Sequence, residues 1–267
     1  MKCSVSLLLL ALLTQVGPGA AHSGDRVSID RLTQAVAAYP EQQSLYIKRG
    51  GIYSHARNWP LAERDFQRAY RLGDPREVSY ELGLMRYRQG DYRQAQVEFS
   101  LYVSLYPRAA TALLYRARAA QAAGAPKKAL ADFKTYFTLV KQPHPGDLLA
   151  AAMLMVKGPE PAVGSALALI DGGIANAGGQ PQLQRYAIQL ELQRGDLSAA
   201  LRRCAQMESS LGGSPEWQVE MAELLLQANR HNEAAAMLRQ AQLQLEGLRN
   251  TPARRILREK IERLMFS

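Results

Sequence analysis

The chain has 267 residues, of which 47% are hydrophobic and 7% aromatic, and its formal net charge is +9. A chain of this length and composition can bury a large core, as one or two globular domains or as a single array of repeats. The arginines are scattered along the sequence, which excludes a polybasic block. An intramolecular disulfide is excluded as well, because Cys3 lies in a predicted leader and Cys204 is the only other cysteine.

The N-terminus, from Met1 to Ala21, has the pattern of a secretory signal peptide. Lys2 supplies a positive charge, Val5 to Val16 is an apolar run, Gly17-Pro18 breaks it, and Gly19 to Ala21 is a small-residue cleavage site. The run of about a dozen apolar residues is shorter than the roughly 20 that span a bilayer. We predict cleavage after Ala21 and export, with the periplasm favoured over secretion by the missing disulfides; an uncleaved anchor is the alternative.

Residues 22–42 are predicted to contain one helix, from Ser28 to Tyr39, which stops at Pro40. Leu32 and Ala35 have the spacing of apolar residues on one helical face. The helix is therefore expected to cover the open end of the first repeat.

The stretch from Arg76 to Pro107 predicts a pair of helices. A helix that ends near Gln89 is followed by the turn Gly90-Asp91-Tyr92, where glycine suits a left-handed helix cap, and by a second helix that Pro107 stops. The small residue at the twentieth position is Ala95, and an alanine recurs at intervals of about 34 residues, with one longer step. The six alanines of this series are Ala62, Ala95, Ala129, Ala166, Ala200 and Ala234.

Further positions recur in register with these alanines. Four residues later an apolar side chain stands on the same helical face: Phe66, Phe99, Phe133, Ile170, Cys204 and Leu238. Three residues beyond these come Ala69, Tyr102, Tyr136, Gly173, Met207 and Ala241. Each helix pair would expose an apolar face that it cannot cover alone, so neighbouring pairs must stack. Cys204 is accordingly predicted to be a buried structural thiol.

This pattern resembles the tetratricopeptide repeat (TPR), over roughly residues 43–248. The fullest match is the first repeat, with Tyr46, Gly50, Tyr53, Ala62, Phe66 and Ala69. The resemblance implies an all-α fold: a right-handed superhelical solenoid of about six helix–turn–helix repeats, with an N-terminal half-repeat and a C-terminal capping helix. Repeats 1–3 are expected in residues 43–142 and repeats 4–6 in residues 143–248.

The fourth repeat is the poorest match. It follows a longer link, residues 141–146, and has Gly172-Gly173 within its second helix, where each glycine costs up to about 1 kcal/mol relative to alanine. We interpret this region as a bend or a softer joint, with a domain boundary near residue 145 as the alternative. Asp147 and Ser214 are predicted helix N-caps.

Residues 249–267 are predicted to form a last helix, from Thr251-Pro252 to Met265. Its apolar stripe consists of Leu257, Ile261 and Leu264. Charged residues fill the rest of the surface, as expected of the polar outer face that a terminal repeat needs. The alternative is a basic amphipathic helix on an anionic membrane, which two glutamates in the helix weaken.

The sequence carries no motif for catalysis, metal binding or cofactor binding. The four histidines fall in different parts of the chain, without HxxxH, HExxH or CxxC spacing. No Gly-rich phosphate loop follows a strand, and no Gly-x-Ser-x-Gly elbow occurs. We therefore predict a protein that is not an enzyme and needs no cofactor.

The resemblance to TPR proteins also implies a binding surface, because the first helices of such repeats line a concave groove. The nine predicted partner-binding residues are Tyr80, Leu84, Tyr87, Arg88, Leu114, Arg118, Gln121, Arg185 and Gln189. Tyrosine and arginine often dominate binding energy, and a guanidinium fork matches an acidic group. Some relatives bind C-terminal carboxylates through a Lys/Asn clamp, but Ile47, Gly51, Tyr80 and Leu84 stand where its polar groups would be. The alternative is that these side chains only cover apolar neighbours.

The predicted function is a non-enzymatic scaffold that binds a peptide or a partner protein in this groove. A second reading is an accessory subunit of an envelope assembly or polysaccharide export machine, docking through its convex face or its last helix. A third is a nucleic-acid-binding helical repeat, which the leader and the lack of an aromatic-interleaved basic stripe oppose. We expect a protein partner, no nucleic acid and no stable membrane insertion after cleavage.

Overall fold

The structure, a computed structural model, describes residues 23–158, 160–177, 180–212 and 214–266. The predicted signal peptide lies outside these residues. Within them the chain forms fifteen α-helices and no β-strand. The helices are α1 (Ser23–Ala38), α2 (Gln43–His55), α3 (Trp59–Leu72), α4 (Pro75–Arg88), α5 (Tyr92–Leu105), α6 (Ala110–Ala122), α7 (Pro126–Leu139), α8 (Pro145–Lys157), α9 (Val163–Ala177), α10 (Pro181–Gln193), α11 (Leu197–Gln206), α12 (Glu208–Leu211), α13 (Pro215–Gln227), α14 (His231–Glu246) and α15 (Pro252–Met265).

Two helix starts differ from the predictions. Helix α1 begins at Ser23 rather than Ser28, and the Ser28 hydroxyl, inside the helix, donates to the backbone oxygen of Gly24 at 2.9 Å. The prediction of Asp147 as an N-cap is wrong: His144 caps α8, its Nδ1 accepting from the Gly146 amide at 3.1 Å. The predicted cap Ser214 is confirmed, since its hydroxyl accepts from the Trp217 amide.

The described chain falls into two compact units that divide between Ala125 and Pro126. In unit 1, α2 packs against α3 and α4 against α5, with α1 on α2 and α6 on α5. In unit 2 the pairs are α8 with α9, α10 with α11, and α13 with α14, and α15 packs on α13 and α14. The all-α architecture of packed helix pairs is thus confirmed, while the joint near residue 145 stays a prediction.

The core of each unit is built from the recurring positions. All six alanines of the 34-residue series have a relative exposure of 0%. The large side chains four residues later, from Phe66 to Leu238, are buried as well, and they include Cys204. Of the set three residues beyond these, Tyr102 alone is only half-buried. The spacing therefore identified the contact surface within the helix pairs correctly.

Five of the turns between paired helices contain a residue in the left-handed conformation. Gly90, Gly124 and Gly195 have φ values of 83°, 75° and 80°. Arg57 and Asn229 take the same conformation in their turns, with φ values of 58° and 57°. A side chain there costs roughly 1–2 kcal/mol relative to glycine, and asparagine tolerates it best. The turn geometry is thus kept even where glycine is absent.

Close crossing of α4 and α5 depends on Gly83. A Cβ atom at this position would lie 2.8 Å from Cε1 of Phe99, whose ring is fully buried. We expect Gly83→Ala to lower the free energy of unfolding by about 1–3 kcal/mol through overpacking, although alanine favours a helix over glycine by about 1 kcal/mol. Urea unfolding followed by circular dichroism measures the change.

The matched control is Gly172→Ala in α9, where an added Cβ meets no atom within 4 Å. Helix propensity then acts alone, and stability should rise by up to about 1 kcal/mol. If Gly83→Ala stabilises the protein as much as Gly172→Ala does, close approach at Gly83 does not govern the crossing.

Candidate functional site

Seven of the nine predicted partner-binding residues lie together on two neighbouring helices of unit 1. Tyr80, Leu84, Tyr87 and Arg88 are on α4, and Leu114, Arg118 and Gln121 are on α6. Helix α4 contacts both α2 and α6, so the three first helices of unit 1 are adjacent. We call the accessible side of α2, α4 and α6 the first-helix face.

These residues differ in burial. Leu84 and Leu114 are 8% and 9% exposed, so they belong to the packed layer beneath the first-helix face. Arg88 and Gln121 are exposed, and Tyr80 is half-buried. The predicted set therefore divides into an apolar floor and a polar, accessible layer.

The tyrosines of the first-helix face also pack against the second helix. The Tyr80 ring lies 6.1 Å from that of Phe99 and 5.1 Å from that of Tyr102 on α5. Burial, with the nearby Glu81 carboxylate adding to it, raises the pKa of Tyr80 to about 12. Tyr80 is therefore a neutral phenol at physiological pH, and it supports the helix pair as well as the surface.

A second aromatic group continues this layer across the repeats. The Tyr87 ring lies 5.4 Å from Tyr92 and 5.6 Å from Tyr115, in edge-to-face contacts. The Arg118 guanidinium lies 5.7 Å from the centre of the Tyr115 ring, a cation–π distance. Tyr92 and Tyr115 were not among the residues predicted from the sequence, because their contact with Tyr87 joins three different helices.

Arg88 is held on the side of α2. Its Nη1 donates to the Ser54 hydroxyl at 3.1 Å, and Ser54 is itself fully buried. No carboxylate of the described residues lies within ion-pair distance of the Arg88 guanidinium. A fixed, accessible guanidinium is suited to binding an acidic group.

Glu81 is a further residue of this face that was not predicted from the sequence. It is half-buried on α4, opposite Gly51 of α2, where a Cβ atom would lie only 2.9 Å from Glu81 Oε2. Burial raises the pKa of the Glu81 carboxyl group, and the charge of Arg88 opposes that rise. The face thus contains a carboxyl group and a guanidinium two helical turns apart.

The two remaining predicted residues lie in unit 2, on α10. Gln189 is exposed. Arg185 is occupied, because its Nε donates to both carboxylate oxygens of Glu220, at 2.9 and 3.0 Å. Arg185 therefore serves an internal ion pair between successive repeats.

A larger ionic cluster joins α9, α10 and α11 in unit 2. The buried carboxylate of Glu191 is 2.9 Å from Arg203 Nε and 2.6 Å from Arg194 Nε. Arg203 also pairs with Asp171, at 2.6 Å. Only the Glu191–Arg203 pair is largely buried, and removing one partner of a buried pair typically costs about 3–5 kcal/mol. We attribute this cluster to stability.

The described residues contain no group of three or more His, Cys, Asp or Glu side chains placed to hold a metal ion. Cys204 is confirmed as a buried thiol: it is fully inaccessible, and burial raises its pKa to about 12. Its protonated form is a poor nucleophile. None of the helices in the described ranges has the length and apolar character needed to cross a bilayer.

Comparison with known proteins identifies the fold. No family model matches the sequence, and no similar protein is found among the curated ones. Solved structures do match. The C-terminal part of a TPR repeat-containing protein from Cytophaga hutchinsonii has a TM-score of 0.66 at 12% identity, over 85% of this chain and 95% of that one.

Two further structures show the same architecture. PilF from Pseudomonas aeruginosa has a TM-score of 0.55 at 20% identity, over 74% of this chain and 91% of that one. A tetratricopeptide repeat protein from Parabacteroides merdae has a TM-score of 0.50 at 15% identity, over 91% of this chain and 93% of that one. The chain has the fold of tetratricopeptide-repeat proteins, as the recurring positions indicated.

The half-buried Glu81 makes stability depend on pH. Burial raises the pKa of Glu81 in the folded state above that of an ordinary carboxyl group in the unfolded chain. The free energy of unfolding therefore falls as pH rises from the unfolded-state pKa through the folded-state pKa. We expect Glu81→Gln to raise the free energy of unfolding at pH 7 by about 1 kcal/mol. The gain should shrink at pH 4, where the wild-type carboxyl group is protonated.

Urea unfolding at the two pH values measures this difference. Glu246→Gln, a change of the same kind at an exposed position of α14, is the control and should leave stability unchanged at both pH values. A Glu81→Gln variant less stable than wild type at pH 7 would show that the carboxylate is well paired in the fold.

Proposed function

We propose that this protein is a non-enzymatic scaffold that binds an extended peptide or a helix of a partner protein on the first-helix face of unit 1. The observation that carries the proposal is the arrangement on α4 and α6: Arg88 is fixed by Ser54 and accessible, Arg118 lies over Tyr115, and Gln121 is exposed beside them. Aromatic and arginine side chains of this kind supply most of the energy at protein interfaces.

The rigidity of unit 1 supports the same proposal. Tyr80 and Tyr87 are locked by ring contacts with α5 and α6, so the surface loses little side-chain freedom on binding. A surface that is already ordered keeps more of its contact energy as affinity. The residues that hold the helices together therefore also prepare the binding face.

The cellular setting is part of the proposal. The predicted signal peptide, Met1–Ala21, favours export to the periplasm, with secretion as the alternative. In either place the partner would be a protein and not cytoplasmic nucleic acid. Deletion of the leader tests the compartment: if export is required, the chain should still fold in the cell but should no longer be recovered with its partner.

Photo-crosslinking tests the binding face. A benzoyl-phenylalanine at Gln121, on α6, should crosslink to the partner in intact cells, and Arg88→Glu in the same chain should reduce the crosslinked product about tenfold by removing an anchor. The matched control replaces Arg93, an exposed arginine of α5, first with the crosslinker and then, separately, with glutamate.

Crosslinking from position 93 should be absent, and Arg93→Glu should leave the product at position 121 unchanged. Equal crosslinking from positions 121 and 93, or an undiminished product in Arg88→Glu with its helical circular dichroism intact, would remove the first-helix face from the interaction.

A second candidate function, docking through the last helix into an envelope assembly, is favoured by α15. This helix packs through Ile261, yet Ile256 in the same helix and Phe266 just after it are 64% and 93% exposed. Exposed apolar side chains suit a protein contact. If a crosslinker at Ile256 captures the partner while one at Gln121 does not, this second function replaces the first.

A further inference from the structure

Two glutamates occupy the same place in different repeats of this chain. Glu81 is the sixth residue of the second repeat, counted from Arg76, and Glu220 is the sixth residue of the sixth repeat, counted from Pro215. Both lie on first helices, α4 and α13. Their surroundings can therefore be compared directly, one within each unit.

The carboxylate of Glu220 is neutralised by the preceding repeat. Arg185, the fifth residue of that repeat, donates from Nε to Oε1 and Oε2 at 2.9 and 3.0 Å. The two side chains keep about a third of their surface exposed, 40% for Arg185 and 34% for Glu220. A guanidinium on the accessible side of the helices is thus the natural complement of a carboxylate at this position.

The carboxylate of Glu81 lacks that complement. The fifth residue of the preceding repeat is Ile47, and the residue opposite Glu81 is Gly51, which has no side chain that could donate a hydrogen bond. Among the described residues, no hydrogen-bond donor and no cation at ion-pair distance meets Glu81, and Arg88 acts on it only at longer range. A half-buried carboxylate without a donor costs free energy in the absence of a ligand.

The distances on α4 limit the ligand further. Glu81 and Arg88 are seven residues apart on one helix, so their positions differ by about 10 Å along its axis. An extended peptide advances about 3.3 Å per residue. A ligand that pairs with both groups therefore has its basic and acidic residues about three positions apart.

We propose that Glu81 binds a lysine or arginine side chain of the peptide on the first-helix face, in the place that Arg185 takes on Glu220. The peptide is an extended segment with an acidic residue about three positions away, which meets Arg88. This inference rests on the proposed function, and it adds the charge pattern of the ligand. The site selects a mixed-charge segment and rejects a purely acidic one, because that would leave Glu81 facing a like charge.

The probe is a phage-displayed library of random nonapeptides, selected on the immobilised protein. The enriched sequences should combine a basic and an acidic residue about three positions apart. A fluorescent peptide of the consensus sequence is then titrated by anisotropy, and Glu81→Gln should weaken its binding about tenfold. Replacing the basic residue of the peptide by alanine should cost a similar factor and make binding indifferent to Glu81→Gln, as coupled partners require.

A second variant imitates the paired repeat. Ile47→Arg places an arginine where Arg185 stands relative to Glu220, so the internal guanidinium should occupy Glu81 and weaken consensus-peptide binding at least as much as Glu81→Gln does. Glu246→Gln on α14 is the control and should leave the affinity unchanged. Circular dichroism of each variant checks that the helices are intact.

The outcomes separate the two proposals. If enriched peptides depend on Arg88→Glu but bind Glu81→Gln as they bind wild type, this inference is overturned while the proposed binding face stands. If no peptide is enriched, or if the enriched peptides are indifferent to both substitutions, the extended-peptide form of the proposed function fails together with it. Weakening by Glu81→Gln, and loss of that effect with the alanine peptide, support both.

Discussion

The structure depends on the close crossing of the two helices in each repeat. A helix axis can approach another only where a small side chain stands at the contact, and the alanine series supplies one in every repeat, each fully buried. In the first two repeats the opposite helix has glycine, and the ring that packs there, Phe66 or Phe99, leaves no room for a Cβ atom. The spacing of small residues therefore decides which faces are core and which remain accessible.

That division determines where a partner can bind. In unit 1 the second helix covers one side of α2 and of α4, and the neighbouring first helix covers another, so only part of the surface of each helix stays accessible. Tyr80 belongs to both the packed side and the accessible side of α4, since its ring packs on Phe99 and Tyr102 and is still only half-buried. In the proposed binding mode, packing and recognition are therefore coupled through the same side chains, and specificity falls to the residues that do not pack in the core.

The fold could be predicted from the sequence because its signal is periodic and local. Ala95, Phe99 and their counterparts recur in register, and Arg57 takes the left-handed conformation at the position that glycine holds in other repeats. The surroundings of the candidate site residues were harder to predict. The environment of Glu81 depends on Ile47 and Gly51 in the preceding repeat, about 34 residues earlier in the chain. The ion pair of Arg185 was not predicted for the same reason, because its partner, Glu220, belongs to the next repeat.

The same pair of repeats shows how such a chain acquires a specific surface without changing its fold. An arginine at the fifth position of one repeat neutralises the glutamate of the next, and that contact, partly exposed to solvent, adds little to stability. Where isoleucine replaces the arginine, as at Ile47, the core contacts are kept and the glutamate has no internal guanidinium partner. In the proposed complex, a cationic side chain of the ligand offsets the cost of burying this carboxylate. Specificity in this protein is therefore expected at the positions where an internal ion pair of one repeat is missing from another.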